Sequence, residues 1–294
     1  MKFARTPLAT LYDRLYCEPN KHALERIVVW LSVAGFLAHL AHIALARSMA
    51  HPPPIVAAAG QNYLSAIYTP FSFILFYEVL ILIAAIPQST TQSIATQFEI
   101  VSLIFIRGFF KEIAKIDFDA LHIKEILPAL TGAAAGLGMF LLVAIFQRLA
   151  TRRRSAEMTP QLARFIERKK AISLVLTFVF LVMGAYAVFD FFREGAAIIE
   201  RGSGSLLASK PAFYTDMFTV MIFTDVLILI LSLMVSDRYE LVFRNAAFVI
   251  STILIRFSLT AEEPYGAAIG LAGMAFGIVT LAIYNYNAAL SNSS

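Results

Sequence analysis

Eight stretches of this chain, at residues 27–46, 66–86, 95–110, 126–146, 171–191, 213–235, 241–259 and 265–288, are almost wholly apolar. Crossing the hydrocarbon core of a bilayer takes roughly 20 residues at 1.5 Å rise each. Inside that core every backbone N–H and C=O must be satisfied within the chain, so such stretches become helices. The expected fold is therefore an all-α polytopic membrane protein of about eight transmembrane helices. Apolar residues make up 59% of the 294 residues and charged ones only 15%, which excludes an ordinary soluble domain.

Charged residues within the apolar runs narrow the architecture further. Glu78 and Asp225 each precede the string Val-Leu-Ile-Leu-Ile, and Arg107 and Arg256 close the strings SLIFIR and STILIR. The two acids are 147 residues apart and the two arginines 149. Gly132-Ala-Ala-Ala-Gly136 in the fourth run is answered by Gly266-Ala-Ala-Ile-Gly270 in the eighth, and Leu24-Glu25-Arg26 by Ile166-Glu167-Arg168. Four marks in the same order indicate two copies of a four-helix unit: a first repeat at 1–147, a basic cytoplasmic linker at 148–170 and a second repeat at 171–294. Because four is even, both copies enter the membrane in the same orientation, as parallel repeats. The first copy carries 25 residues between arginine and glycine pair against 10 in the second. The excess falls at 111–125, an amphipathic stretch read either as lying on the membrane or as extending the third helix.

Charge places the ends. Eight spans put both termini on one side. With residue 1 in the cytoplasm, inner segments hold 14 Lys/Arg and outer segments seven, the remaining three of the 24 lying within spans. That bias follows the positive-inside rule. The net charge of +4 thus answers to topology and not to nucleic acid. The first 26 residues read as a cytosolic tail with a short interfacial helix near 8–16. Segments 48–61 and 193–210 read as polar loops, and 87–94 as a tight turn.

Ionisable groups at the depth of Glu78, Arg107, Asp225 and Arg256 are costly unless paired or wetted. Antiparallel neighbours joined by short turns would pair Glu78 with Arg107 and Asp225 with Arg256, facing the bundle interior. Such pairs either fix helix register or form part of a conduit or sensor for ions. One arginine per half is too few for a strong voltage sensor. Glu99 and Arg244 sit nearer the inner ends of their spans, where they can snorkel or pair. His39 and His42, three apart on one helix face, would need a ligand from another helix to hold haem or metal, so no cofactor or metal is expected. The ordinary role of Gly132, Gly136, Gly266 and Gly270 is close helix packing. A single cysteine, Cys17, excludes an internal disulfide framework. No catalytic motif and no phosphate-cradling glycine loop is present, so an enzyme or redox carrier is the minor reading beside an ion-moving protein and an accessory subunit that docks another membrane protein or a second copy.

The strings FTDVLILIL, RNAAFVISTILIRFSL and PYGAAIGLAGMAFGIVTLAI, with FYEVLILI and VSLIFIRGFF in the first half, resemble the phosphate-starvation-inducible membrane protein E (PsiE) family. The resemblance is clearest over 213–288. It implies a four-span fold and a bacterial inner-membrane location, here with the unit carried twice, and it implies no mechanism.

Overall fold

The computed structural model describes residues 6–51, 53, 56, 62–113, 123–151, 159–201, 212–235, 238–262 and 264–291. Among them the helices are α1 Pro7–Leu15, α2 Glu18–Ser48, α3 Tyr68–Ala85 (entered through a 3-10 turn, Tyr63–Ile67), α4 Thr90–Ile113, α5 Ile123–Thr151, α6 Pro160–Arg201, α7 Ala212–Leu233, α8 Tyr239–Ser258 and α9 Tyr265–Ser291. Eight of these, all but α1, are long and apolar enough to cross a membrane. The chain is an all-α polytopic membrane protein.

Its surface is built inside out relative to a soluble fold. Phe178 and Phe223 are 67% and 70% exposed on the rim, whereas Ser173, Ser251, Thr252 and Gln97 are buried. Large apolar side chains facing outward suit lipid, and the polar groups are kept for the interior, where partners can satisfy them.

Helix ends are set by local chemistry. Thr6 caps α1, its hydroxyl accepting from the Ala9 N–H, with Pro7 in the first turn, where the missing N–H costs nothing. The Ser89 hydroxyl accepts from the Gln92 N–H and starts α4 at Thr90, so the turn expected at 87–94 is shorter than the polar sequence implies. Thr159 caps α6 in the same way, ahead of Pro160.

Helices run past the expected span ends at three places. The segment 111–125 is divided: Lys111–Ile113 continue α4, residues 123–125 open α5, and 114–122 lie outside the described residues. The linker at 148–170 is likewise helix at both ends, α5 running through Thr151 and α6 starting at Pro160. Of the loop expected at 193–210, the part from Arg193 to Arg201 is helix, a continuation of α6, and 202–210 lie outside the described residues. At 42 residues α6 is about 63 Å long, roughly twice the hydrocarbon thickness, so it projects beyond the bilayer. Hydropathy marks where a helix leaves lipid, not where it ends.

The two sequence halves do not form separate cores. One cluster joins Phe98, Met139 and Phe146 of the first half to Phe248, Met274 and Leu281 of the second, through α4, α5, α8 and α9. Another joins Val79 and Ile83 of α3 to Phe180 of α6 and Met217 and Met221 of α7. Helices α4 and α5 pack on each other as α8 and α9 do, and α4 meets α8 while α5 meets α9.

Close approach within these pairs depends on glycine. A Cβ at Gly136 would lie 2.9 Å from the Ile106 backbone nitrogen, and one at Gly273 would lie 3.3 Å from that of Ile255. Ile106 and Ile255 each precede the arginine of their half. In register with the arginines, therefore, Gly136 matches Gly273, not Gly270. The correspondence drawn from the glycine strings is displaced by three residues, nearly one helical turn. Gly270 packs against Ser258 and the flexible Met139 methyl, Gly266 is buried in the first turn of α9, and Gly132 has nothing within 4 Å of a Cβ position. Gly132 is therefore not a packing glycine; it borders a cavity.

The amphipathic helix α1 lies across the end of the bundle that carries the α3–α4 turn. Tyr12 donates to the Ala84 carbonyl at 2.5 Å, the Tyr16 and Thr177 hydroxyls are 2.6 Å apart, and Lys170 pairs with Asp13 at 2.5 Å. Burial, then the neighbouring Tyr16 and Asp13, push the Tyr12 phenol above its ordinary range, so it stays a neutral donor. Tyr12→Phe should lower stability by about 0.5–1.5 kcal/mol, the usual net value of one hydrogen bond, and should increase hydrogen exchange across α1. Unchanged exchange in α1 would show that its apolar face alone holds it.

Candidate functional site

Helices α3 and α4 run antiparallel and bring Arg107 onto Glu78, where an Arg107 Nη donates to a Glu78 carboxylate oxygen. Helices α7 and α8 do the same for Asp225 and Arg256, at 2.8 Å. The two pairs differ in surroundings. Arg107 borders a cavity of about 600 Å³, whereas Arg256 is only 4% exposed. Arg256 also has a second partner, since it donates to the Gln97 side-chain oxygen at 3.0 Å. Gln97 belongs to α4, so this bond ties the second half's pair to the first half. In register with the arginines the counterpart of Gln97 is Ala246, which offers Arg107 no such group. Two Arg256 nitrogens, Nε and Nη1, and Glu78 Oε2 are buried without a protein partner. Such atoms are rare in a packed interior and point to small polar ligands or water.

The 600 Å³ cavity opens at the end opposite α1. Tyr68 and Leu75 of α3, Arg107 and Glu112 of α4, Tyr214 of α7 and Glu262 beyond α8 are among its walls. A smaller recess of about 50 Å³ lies towards the α1 end, lined by Thr90, Ser93, Gln97, Lys169, Asp225 and Thr252 with apolar neighbours. Along α7 the cavity reaches Phe218 and the recess Asp225; along α4 they reach Ile104 and Gln97. Seven residues on either helix are about 10 Å. Arg256 stands in that interval on α8, between Thr252 of the recess and Ser258 of the cavity.

The remaining sequence candidates fall elsewhere. Glu99 accepts a hydrogen bond from Gln147 of α5. Arg244 bonds Asn245 at 2.9 Å and lies 4.7 Å over the Tyr284 ring, so Glu99 and Arg244 serve separate helix contacts. His39 Nδ1 is 2.6 Å from the Thr69 hydroxyl, and His42 Nε2 is 3.2 Å from the Val56 carbonyl; one ring is occupied in holding α2 against α3 and the other in holding α2 against the chain at Val56. No group of three His, Cys, Asp or Glu side chains converges as a metal site would require, among the described residues.

Sequence reasoning missed Gln97 and Lys169. Lys169 is 4% exposed, donates from Nζ to the Gln88 carbonyl at 2.5 Å and lies over the Phe165 ring. The available signal was spacing: Lys169, Ser173 and Thr177 recur every four residues on the face that also buries Leu176 and Phe180. Ser173 donates to the Ile83 carbonyl at 2.8 Å, which makes this face the seam between α6 and α3.

No protein family, no curated protein and no solved structure matches this chain.

Proposed function

We propose that this chain is a bacterial inner-membrane protein of the PsiE type that moves small ions through its interior, with both termini in the cytoplasm. The observation that carries the reading is the approach of a cavity and a recess from opposite ends to within about 10 Å of each other, with the Asp225–Arg256–Gln97 contacts in the interval. Ionisable groups at membrane depth that face open space mark ion and proton pathways. The Glu78–Arg107 pair is the station on the cavity side, where Arg107 lines the wall, and the Asp225–Arg256 pair is the closure. Passage requires Arg256 to release Asp225, and its existing bond to the uncharged Gln97 holds it meanwhile.

The test is ion flux and membrane current in proteoliposomes, comparing the native chain with Glu78→Gln/Asp225→Asn, which keeps the shape of both side chains. Flux in the native chain that disappears in the double variant, with folding verified by circular dichroism and monodisperse elution, is the expected result. Absence of flux from folded native protein under proton, alkali-cation and anion gradients would overturn the reading in favour of an accessory subunit.

A further inference from the structure

The recess beside Asp225 holds more positive charge than negative. Lys169 lines it with its ammonium almost wholly buried, and Arg256 lies directly behind it, bonded to two of its wall residues, Gln97 and Asp225. Asp225 is the one carboxylate among the recess-lining residues. Two cations around one carboxylate leave an excess of one positive charge in the bundle interior, where an uncompensated charge is costly.

The other groups present are suited to an anion. Gln97 turns its oxygen to Arg256, so the amide N–H₂ is its remaining polar group. Ser93 and Thr90 add hydroxyls, and Thr90 begins α4, whose first-turn N–H groups carry the positive end of the helix dipole. Arg256, behind the Gln97 and Asp225 wall, adds its positive charge, with Nε and Nη1 buried and without a protein partner. We propose that this recess binds a small monovalent anion of the halide class, held between Lys169 and the Arg256 side of the recess. A volume of about 50 Å³ admits such an ion with a water or two. One excess positive charge is neutralised by one monovalent anion and overcompensated by a divalent one. The inference deepens the ion-path reading by naming the ion at its inner station.

The test uses the full chain in nanodiscs, with thermal unfolding followed in sodium chloride and in sodium gluconate at equal ionic strength, so that screening is held constant. Chloride is expected to raise the unfolding temperature saturably where gluconate does not. Lys169→Gln should weaken the apparent chloride affinity by on the order of tenfold or more, the range for losing a charge-assisted hydrogen bond. Lys170→Gln, whose partner Asp13 lies on α1, should leave it unchanged. If Lys169→Gln does not fold, Ser93→Ala is read the same way, with weaker chloride binding expected. Identical unfolding in the two salts, or a chloride response retained in full by the recess variants, would overturn the anion site. Saturable chloride stabilisation without any flux keeps the site and removes the conduit. Proton or alkali-cation flux in a protein indifferent to chloride keeps the conduit and removes the site.

Discussion

Arg256→Met should destabilise the protein by about 3–5 kcal/mol, while Asp225→Leu/Arg256→Met together should recover most of that loss. The single change takes from Asp225, whose side chain is 12% exposed, the guanidinium bonded to it, leaving only Lys169 across the recess, and it also strands the Gln97 oxygen. The double change removes both charges, so the desolvation cost of ionised groups disappears with the attraction between them. The corresponding comparison at Glu78 and Arg107 should show the same ordering with a smaller gap, because Arg107 lines the large cavity and its truncation extends that cavity towards the carboxylate left behind. Reversible unfolding in mixed micelles, or the shift in thermal aggregation temperature in nanodiscs, measures all four variants. Equal losses from the single and double changes would mean that neither pair acts as a unit.

The second large effect is steric. Gly136→Ala should cost about 1–3 kcal/mol, the range for forcing a methyl into a packed interior. The new Cβ would meet Ile106 at 2.7 Å from Cγ1 and 2.9 Å from the backbone nitrogen. A backbone atom cannot turn aside as a side chain can, so α5 must move away from α4. Gly273→Ala should behave alike against Leu254 and Ile255, Gly270→Ala more mildly because the Met139 methyl can swing clear, and Gly132→Ala should be neutral or stabilising by up to about 1 kcal/mol from helix propensity. Thermal unfolding of the four variants should rank them in that order. A ranking in which Gly270→Ala exceeds Gly273→Ala would restore the glycine correspondence drawn from the strings alone.

Much of this fold is legible in the sequence because lipid imposes a simple rule: a run long enough to cross must be a helix. The eight spans derive from that rule, and the meeting of acid with arginine derives from antiparallel neighbours joined by short turns. What escaped did so for identifiable reasons. Lys169 sits between Arg168 and Lys170, and a local cluster of basic residues reads as solvated linker; only the four-residue spacing to Ser173 and Thr177 turns it inward. Gln97 carries no charge, so nothing in its own span marks it as the cross-half partner of Arg256. The glycine correspondence failed because similar strings can slide by a turn along a helix, whereas the register is fixed by which backbone the missing Cβ lets approach. The run from Arg193 to Arg201 reads as loop because polar residues end a hydrophobic window without ending a helix.

The seat of α1 has a consequence for how the chain is made. Its contacts are to Ala84 and to Lys170 and Thr177, and the latter two leave the ribosome long after α1 itself. Throughout synthesis of the first four spanning helices, until α6 is made as the fifth, the amphipathic helix has no complete place to dock. Its seating is thus a late event in biogenesis, available only once the second half has begun to insert. A protease site placed ahead of Pro7 would report, by the moment it becomes protected, when the two halves have met.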